Sequence, residues 1–215
     1  MDNVSVIIRN KNESVTIGHA IQSCANHFNK PEVIIIDDNS TDDSDKVISL
    51  FDQTNVNIYN LEKRYTPGYA LNYGVSKCTN DIVLILSAHC QITKMDFSYI
   101  KECFKKGYKA IFGNQTPIYY GKKITKRYIW SHFKKTREVE NMVSKMENRP
   151  FLHNAFCFYD KSFLKENPFD ENLHGKEDRY WAADRIEEGS KYLYTPQIEV
   201  NHFWSPIGAT WKGIG

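Results

Sequence analysis

The sequence predicts an α/β fold in which helices cover both faces of a mainly parallel central sheet. Short β-branched apolar runs alternate along the first half of the chain with segments whose apolar residues recur at helical spacing. Runs of this length are typical of buried parallel strands. Right-handed crossovers between such strands place the connecting helices on the two faces of the sheet. Ligands are then expected at the carboxyl ends of the strands.

Five apolar runs predict the strands. Polar residues or turn signals follow them, and DIVLILS is the most apolar of the five. The predicted strands cover residues 4–9, 33–36, 56–61, 81–87 and 109–114.

Helical periodicity fills the intervals between these runs. Ser14 is a plausible N-cap for the first helix, whose apolar positions include Ile17 and Cys24. Further helices are expected over residues 69–78 and 96–106. The inner face of a helix after residue 44 is marked by Val47, Leu50 and Phe51.

Residues 115–150 break this alternation. The segment YYGKKITKRYIWSHFKKTREVEN is basic, aromatic and poor in aliphatic residues, so we expect a partly exposed helical insertion over the site. Its cations could contact a diphosphate-linked lipid acceptor or an anionic membrane face, or form a solvated helix face. They are Lys122, Lys123, Lys126, Arg127, Lys134, Lys135 and Arg137.

Composition sets the broad class. A chain of 215 residues, 41% of them apolar, can bury one substantial core, so a single domain over 1–215 is expected. The chain has 28 Lys and Arg residues and 26 Asp and Glu residues, so its charges nearly balance. It therefore has no broad positive electrostatic field that would attract a polyanion, and no nucleic-acid partner is expected.

Cysteine usage and the N-terminus bear on the compartment. The five cysteines are scattered, with no metal-knuckle or redox spacing, which fits reduced thiols. The chain enters a strand pattern at once, and no apolar run approaches the roughly 18 residues of a membrane span. We therefore expect a cytoplasmic protein.

The strongest motif is VIIIDDNSTDDS at residues 33–44. Alternation along the strand puts Asp37 and Asp38 on opposite sides. One carboxylate can then bond a ribose or base while the other anchors the loop. The alternative is that Asp38, Asn39 and Ser40 only cap a helix. The segment RNKNES, residues 9–14, follows the first strand and would line the same pocket.

Five segments carry a family resemblance. VSVIIRNKNES, VIIIDDNSTDDS, PGYALNYG, DIVLILSAH and GKEDRYWAADRIEEG, in this order, resemble the GT-A glycosyltransferases of inverting family 2. The resemblance covers nearly the whole chain and implies a nucleotide-diphosphate-sugar donor, UDP-, dTDP- or GDP-linked. It divides the chain into a nucleotide-sugar-binding half, 1–114, and an acceptor-binding half, 115–215, that ends in an aromatic, Gly-rich tail.

The resemblance also assigns donor-binding residues. It places the base and ribose near Asn10, Glu13 and Asp38, with Asp37 in the same loop. PGYALNYG, residues 67–74, resembles a segment that packs a helix against the donor, and it adds Gly68 and Asn72. A structural role in a tight loop and a packed helix is the alternative for both residues.

The segment LILSAHC departs from the family pattern. Members usually place Asp-x-Asp at this strand end to hold a divalent cation on the donor diphosphate, whereas this chain has Ser87, Ala88 and His89. Imidazole suits manganese better than magnesium. Use of either metal is therefore left open. Three roles are possible for His89: it ligates manganese, it contacts the diphosphate as a cation, or it marks a site that has lost activity. By resemblance, His202 completes metal or diphosphate binding.

A second acidic pair, Glu177 and Asp178, opens a predicted helix. Carboxylates there are ordinarily partners of the helix dipole. The resemblance implies that Asp178 is the general base that deprotonates an acceptor hydroxyl, with Glu177 orienting the acceptor. Trp181 or Trp204 could stack on a sugar ring or belong to the core.

Two other functions remain to be weighed. A sugar nucleotidyltransferase would carry a Gly-rich basic loop after the first strand, and RNKNES has no glycine. A non-catalytic nucleotide- or sugar-binding module would explain the missing Asp-x-Asp, but the Glu177–Asp178 pair argues against it.

By resemblance, the setting is assembly of a bacterial surface polysaccharide such as capsule or lipopolysaccharide. The acceptor would be a glycan or a lipid-linked glycan at the inner face of the cytoplasmic membrane.

Overall fold

A computed structural model describes residues 2–51, 55–119, 122–123 and 128–204. The helices and strands alternate through the first half, as the periodicity predicts. Their bounds are β1 Val4–Asn10, α1 Ile17–His27, β2 Glu32–Asp37, α2 Ser44–Ser49, β3 Val56–Asn60, α3 Pro67–Lys77, β4 Ile82–Ser87, β5 Cys90–Lys94, α4 Phe97–Lys105, β6 Ala110–Tyr119, β7 Lys122–Lys123, a 3-10 helix Tyr128–Lys134, β8 Val139–Glu140, β9 Val143–Ser144, β10 Arg149–Pro150, β11 Phe156–Asp160, α5 Lys161–Glu166, α6 Glu177–Glu187 and β12 Tyr192–Phe203.

The central sheet has a parallel half joined to a mixed half. Its order is β3-β2-β1-β4-β11-β6-β12-β5, with β7 beside β6 and β8 beside β12. Strands β3, β2, β1 and β4 pair in parallel, and β6 pairs in parallel with β12. Strand β11 runs antiparallel to both β4 and β6. The predicted α/β sheet, with most of its long strands parallel, is therefore confirmed.

Two apolar clusters occupy the two faces of this sheet. Along β1, Val6 and Ile8 face one cluster and Ile7 faces the other, as the period of two requires. Helices α1 and α4 cover the first face, whereas α3 and α6 cover the second. The two halves of the chain share this core, because β11 lies between β4 and β6 and residue 114 lies inside β6.

Three helix starts have identifiable side-chain caps. The Thr66 side chain accepts from the Tyr69 N–H at 3.2 Å, and Pro67 occupies the first turn of α3. The Asp96 and Asp160 side chains cap α4 and α5.

None of the helices in the described ranges has the length and apolar character needed to cross a membrane.

Two local predictions are wrong. The N-cap position of α1 is Thr16, whereas the Ser14 N–H binds the Asp42 side chain at 2.9 Å. Leu50 does not belong to the inner face of α2, because it is 78% exposed. Ile48 is the buried apolar residue of that helix, and Val47 and Phe51 pack against the core.

The predicted helical insertion over 115–150 is also wrong. Strand β6 continues to Tyr119, and in the described part of the segment it is followed by a 3-10 helix and four two-residue strands. Trp130 and Phe133 are buried in the second cluster, because aromatic side chains supply the apolar area that aliphatic residues do not. Lys134, Lys135 and Arg137 are exposed. The side chains of Lys122, Lys123, Lys126 and Arg127 and the tail from residue 205 lie outside the described residues.

Gly68→Ala is expected to destabilise the fold by about 1–3 kcal/mol, the usual cost of overpacking. An added Cβ would lie 2.3 Å from the Asp170 carbonyl oxygen, so backbone would have to move. Ser76→Ala, on an exposed position of the same helix, is the control and should change stability by less than about 0.5 kcal/mol. Denaturant unfolding measures both, and an equally small effect at Gly68 would contradict the packing described.

Candidate active site

The carboxyl edge of the sheet gathers the ends of several strands. Asn10 lies opposite Asp37 across β1 and β2, and Arg9 lies opposite Ser87 across β1 and β4. Because β11 is antiparallel, its first residues also reach this edge, and the Ser87 N–H donates to the Ala155 carbonyl at 3.0 Å. Residues distant in sequence therefore meet at one edge.

The two aspartates after β2 have different surroundings. The Asp37 carboxylate accepts from the Asn10 side-chain amide at 2.7 Å and from the Ser40 N–H and hydroxyl at 2.8 Å and 2.6 Å. The half-buried Asp38 carboxylate lies 3.7 Å from the Lys11 ammonium group. Asp37 thus anchors the loop, and Asp38 presents the more accessible carboxylate.

His89 occupies the turn between β4 and β5. Its Nδ1 lies 3.2 Å from the buried Glu13 carboxylate, which also accepts from the Thr16 hydroxyl. Ser87 is half-buried at this turn. The Ala88 side chain packs in the first apolar cluster, so only its backbone could contact a donor.

His202 approaches His89 because β12 pairs with β5. The Phe203 N–H donates to the His89 carbonyl at 2.8 Å, and the two imidazole centroids are 4.8 Å apart. Burial lowers the pKa of the His202 imidazole well below its usual value, and the nearby His89 and His153 act in the same direction. His202 is therefore a neutral imidazole at neutral pH.

Sequence reasoning missed Gln115, which is the polar partner of His202, and His153, which is the partner of Gln115. Gln115 Oε1 lies 2.9 Å from His202 Nδ1, and Gln115 Nε2 lies 3.1 Å from His153 Nδ1. Burial and the positive charge of Arg179 lower the pKa of the His153 imidazole to about 3. The available signal was the polar pair HN inside the apolar stretch FLHNAFCF.

Glu177 and Asp178 open α6 at the same edge and are both buried. The Glu177 carboxylate lies 3.3 Å from the Arg9 guanidinium and accepts from the Asn154 side-chain amide at 3.4 Å. One oxygen of Asp178 accepts from the Asn154 backbone N–H at 2.9 Å. Asn154, which sequence reasoning missed, therefore joins the two carboxylates to the start of β11.

Arg179 holds the other oxygen of Asp178. Its backbone N–H and Nη1 each lie 2.9 Å from Asp178 Oδ1. Its Nε donates to Glu147 at 3.2 Å, and its guanidinium lies over the Phe151 ring at 4.7 Å. This arrangement restricts Arg179, and through it the Asp178 carboxylate, to one position.

The two adjacent carboxyls have pKa values shifted in opposite directions. Burial, reinforced by Asp178, raises the pKa of Glu177 against the opposing effect of Arg9. Burial would also raise the pKa of Asp178, but the charge of Arg179 and the Asn154 N–H outweigh it, so that pKa lies below its usual value. Asp178 is thus a carboxylate at neutral pH, as a general base must be.

Two residues expected to bind the donor contact a neighbouring loop. The Asn72 side chain donates to the Phe169 carbonyl and the Glu171 carboxylate at 2.9 Å, and accepts from the Phe169 N–H at 3.0 Å. The Gly68 Cα faces Asp170. Both contacts fix the segment that leads to α6, and we leave Gly68 and Asn72 out of the proposed donor site.

The two tryptophans have different surroundings. Trp181 is buried in the second apolar cluster, and its indole N–H donates to the Asn167 carbonyl at 2.7 Å. It therefore belongs to the core and does not stack on a sugar. Trp204 is half-buried, with its ring centroid 4.8 Å from that of Tyr119.

Comparison with known proteins identifies the family and the fold. Residues 5–167 match the sequence profile of glycosyl transferase family 2, which is more than half of the chain. The chain belongs to glycosyltransferase family 2. It is 27% identical over 198 residues to the GalNAc(5)-diNAcBac-PP-undecaprenol beta-1,3-glucosyltransferase of Campylobacter jejuni, an alignment that covers 90% of this chain. The chain spans 63% of the length of that relative.

Solved glycosyltransferases share the fold. S. aureus TarS 1-349 in complex with UDP-GlcNAc superposes with a TM-score of 0.75 at 19% identity, covering 96% of this chain and 60% of TarS. The mannosyltransferase PcManGT from Pyrobaculum calidifontis, in complex with GDP-Man and Mn2+, gives a TM-score of 0.70 at 15% identity, covering 96% of this chain and 58% of the other.

The chemistry of the edge permits only a sparse metal site in this family 2 glycosyltransferase. Within the described residues, no group of three or more His, Cys, Asp or Glu side chains is placed to hold a metal ion. The neighbouring imidazoles of His89 and His202 could supply nitrogen ligands, which suit manganese better than magnesium. A cation held by this pair would need its remaining ligands from elsewhere, such as the oxygens of a bound diphosphate.

Glu177→Gln is expected to change the pH dependence of stability. Because the folded state raises the pKa of Glu177, its contribution to the free energy of unfolding is fully present below the unfolded pKa, about 4.3. That contribution is lost as the pH rises through the folded pKa. Glutamine does not titrate, so the stability of the variant relative to wild type should increase from about pH 4 to about pH 7.

Denaturant unfolding at the two pH values measures this trend. Glu187→Gln, at an exposed position near the end of the same helix, is the control and should show no such increase. A relative stability of Glu177→Gln that decreases with pH would show that the carboxyl is stabilised in its ionised form.

Proposed function

We propose that this glycosyltransferase moves one sugar from a nucleotide-diphosphate sugar to an acceptor hydroxyl, with inversion at the anomeric carbon and Asp178 as general base. One observation carries the proposal. A buried carboxylate with a lowered pKa, held by Arg179, lies at the sheet edge where the Asn10–Asp37 loop and the His89–His202 pair also lie.

The half formed by residues 1–114 would bind the donor. Asn10 and Asp38 would contact its base and ribose, with Asp37 and Ser40 fixing the loop. Glu13 would act by holding His89, because its carboxylate faces that ring. Structures of the same fold contain UDP-GlcNAc or GDP-Man, which supports a nucleotide-sugar donor, either UDP-, dTDP- or GDP-linked.

His89 and His202 would hold a divalent cation, manganese being preferred. When bound, the cation neutralises charge that develops on the leaving diphosphate. Mn2+ accompanies GDP-Man in PcManGT, which supports this assignment. Ser87 and the Ala88 backbone would lie beside the diphosphate at the same turn.

Asp178 would accept the proton of the acceptor hydroxyl. As the acceptor oxygen forms its bond to the anomeric carbon, the bond between that carbon and the diphosphate oxygen breaks, and the electron pair leaves with the nucleoside diphosphate. A single displacement from the opposite face inverts the anomeric configuration. Glu177, held by Arg9 and Asn154, would orient the acceptor. Residues 115–215 supply both carboxylates and would form the acceptor-binding half.

The acceptor we propose is a glycan, carried on a lipid diphosphate during assembly of a bacterial surface polysaccharide. The Campylobacter relative, whose name includes PP-undecaprenol, supports this class. Exposed Lys134, Lys135 and Arg137 would face the anionic acceptor or the inner face of the cytoplasmic membrane. The protein would then work in the cytoplasm as a peripheral membrane enzyme.

Asp178→Asn is expected to lower sugar transfer by at least about a hundredfold, because the amide cannot accept the proton. Donor binding, measured by titration calorimetry, should stay near the wild-type value. Asp184→Asn, at an exposed position of the same helix, is the control and should transfer normally. Near-normal transfer by Asp178→Asn would refute the assignment of the base.

His89→Ala is expected to weaken binding of a nucleoside diphosphate far more than binding of the nucleoside alone, because its partner is the diphosphate or its cation. Calorimetry with UDP, dTDP and GDP and with their nucleosides, with and without Mn2+, gives the comparison. His27→Ala, at the end of α1, is the matched control. Equal weakening of both ligands would instead indicate a structural histidine.

A further inference from the structure

Gln115, in β6, lies between the buried His202 and the half-buried His153. Its side chain is 2% exposed, with Oε1 2.9 Å from His202 Nδ1 and Nε2 3.1 Å from His153 Nδ1. Neither Gln115 nor His153 belongs to the mechanism proposed above. The hydrogen-bond roles of the three side chains can nevertheless be worked out from a fourth group, the Ala155 backbone.

A backbone N–H fixes the direction of the whole chain of hydrogen bonds. The Ala155 N–H donates to His153 Nδ1 at 3.3 Å, and a backbone N–H can only donate. His153 Nδ1 must therefore be an acceptor without a proton. The group of Gln115 that faces it must be the amide NH2, which leaves the amide oxygen facing His202. Because that oxygen can only accept, His202 Nδ1 must carry the proton.

The tautomer of His202 follows directly. A neutral imidazole has one protonated nitrogen, and the hydrogen bond at one nitrogen decides the state of the other. With its proton on Nδ1, the His202 ring can present a lone pair only on Nε2. His89 likewise directs Nδ1 to the Glu13 carboxylate, which accepts a hydrogen bond from the Nδ1–H. Both rings are tied to the fold through Nδ1.

We propose that Gln115 is a positioning residue that, with His153 and the Ala155 N–H, fixes His202 as the Nδ1–H tautomer with Nε2 as a metal-ligating nitrogen. The ligand role of His202 rests on the proposed function, whereas the tautomer rests on the hydrogen bonds alone. Partners of this kind orient metal-ligating histidines in many proteins, and their loss weakens metal affinity about 10- to 100-fold. Gln115→Met is the test, because methionine has similar length and neither accepts nor donates in place of the amide.

Two readouts separate this role from a merely structural one. In metal-free protein, 15N NMR of the histidine rings should show the proton of wild-type His202 on Nδ1, and in Gln115→Met it should move wholly or partly to Nε2. Mn2+ affinity should fall about 10- to 100-fold in the variant. Paramagnetic resonance can measure that affinity with Mn2+ alone, then with whichever of UDP, dTDP and GDP wild type binds best.

The same exchange on β5, on the other side of β12, is the control. Gln91, on β5, is half-buried and accepts from Asn201, so Gln91→Met should change neither the tautomer nor the Mn2+ affinity. Thermal unfolding shows whether each variant is folded. If Gln115→Met does not fold, the 15N NMR of the wild-type protein tests the proposal by itself. A proton on His202 Nε2 in the metal-free wild-type protein overturns the proposal.

Other outcomes also overturn it. An unchanged tautomer and unchanged Mn2+ affinity in folded Gln115→Met would show that Gln115 has no positioning role. A wild-type protein with the expected tautomer that does not bind Mn2+ even with a nucleoside diphosphate would remove the ligand role of His202. Failure of Asp178 as the base would appear instead in the transfer assay and would leave the tautomer result unaffected.

Discussion

The site depends on the antiparallel insertion of β11 between β4 and β6. A parallel strand at that position would end at the carboxyl edge, whereas β11 begins there, and its leading residues lie beside the end of β4. His153, Asn154 and Ala155 therefore connect elements that are far apart in sequence. Asn154 binds both carboxylates of α6, and His153 reaches β12 through Gln115.

Buried charges at this edge are paired so that each carboxylate keeps a distinct environment. Leaving a charge unpaired in such a place would cost several kcal/mol. Arg9 faces Glu177 from β1, and Arg179 holds Asp178 from α6 itself. Two adjacent carboxyls whose pKa values move in opposite directions are what an acid–base site needs.

Patterns local in sequence predicted the elements, but pairings distant in sequence escaped prediction. Val6, Ile35 and Leu84 belong to apolar runs whose length and alternation already indicate buried strands. The Glu177–Asp178 pair was identifiable because it opens a helix and resembles a family motif. Arg9 and Glu177 are separated by 168 positions, and no local pattern indicates that they meet. The helix expected over 115–150 failed because Trp130 and Phe133 gain more from burial in the shared core than an exposed helix would provide.

The proposed reaction requires the donor and the general base, Asp178, to share one cleft at this edge. A crystal structure with a bound nucleoside diphosphate would show whether they do. We expect the nucleobase to lie against Asn10 and Asp38. The diphosphate should lie beside His89 and His202, on the side where Asp178 opens α6. A nucleotide bound at the opposite edge of the sheet, or with its diphosphate directed away from Asp178, would contradict the account.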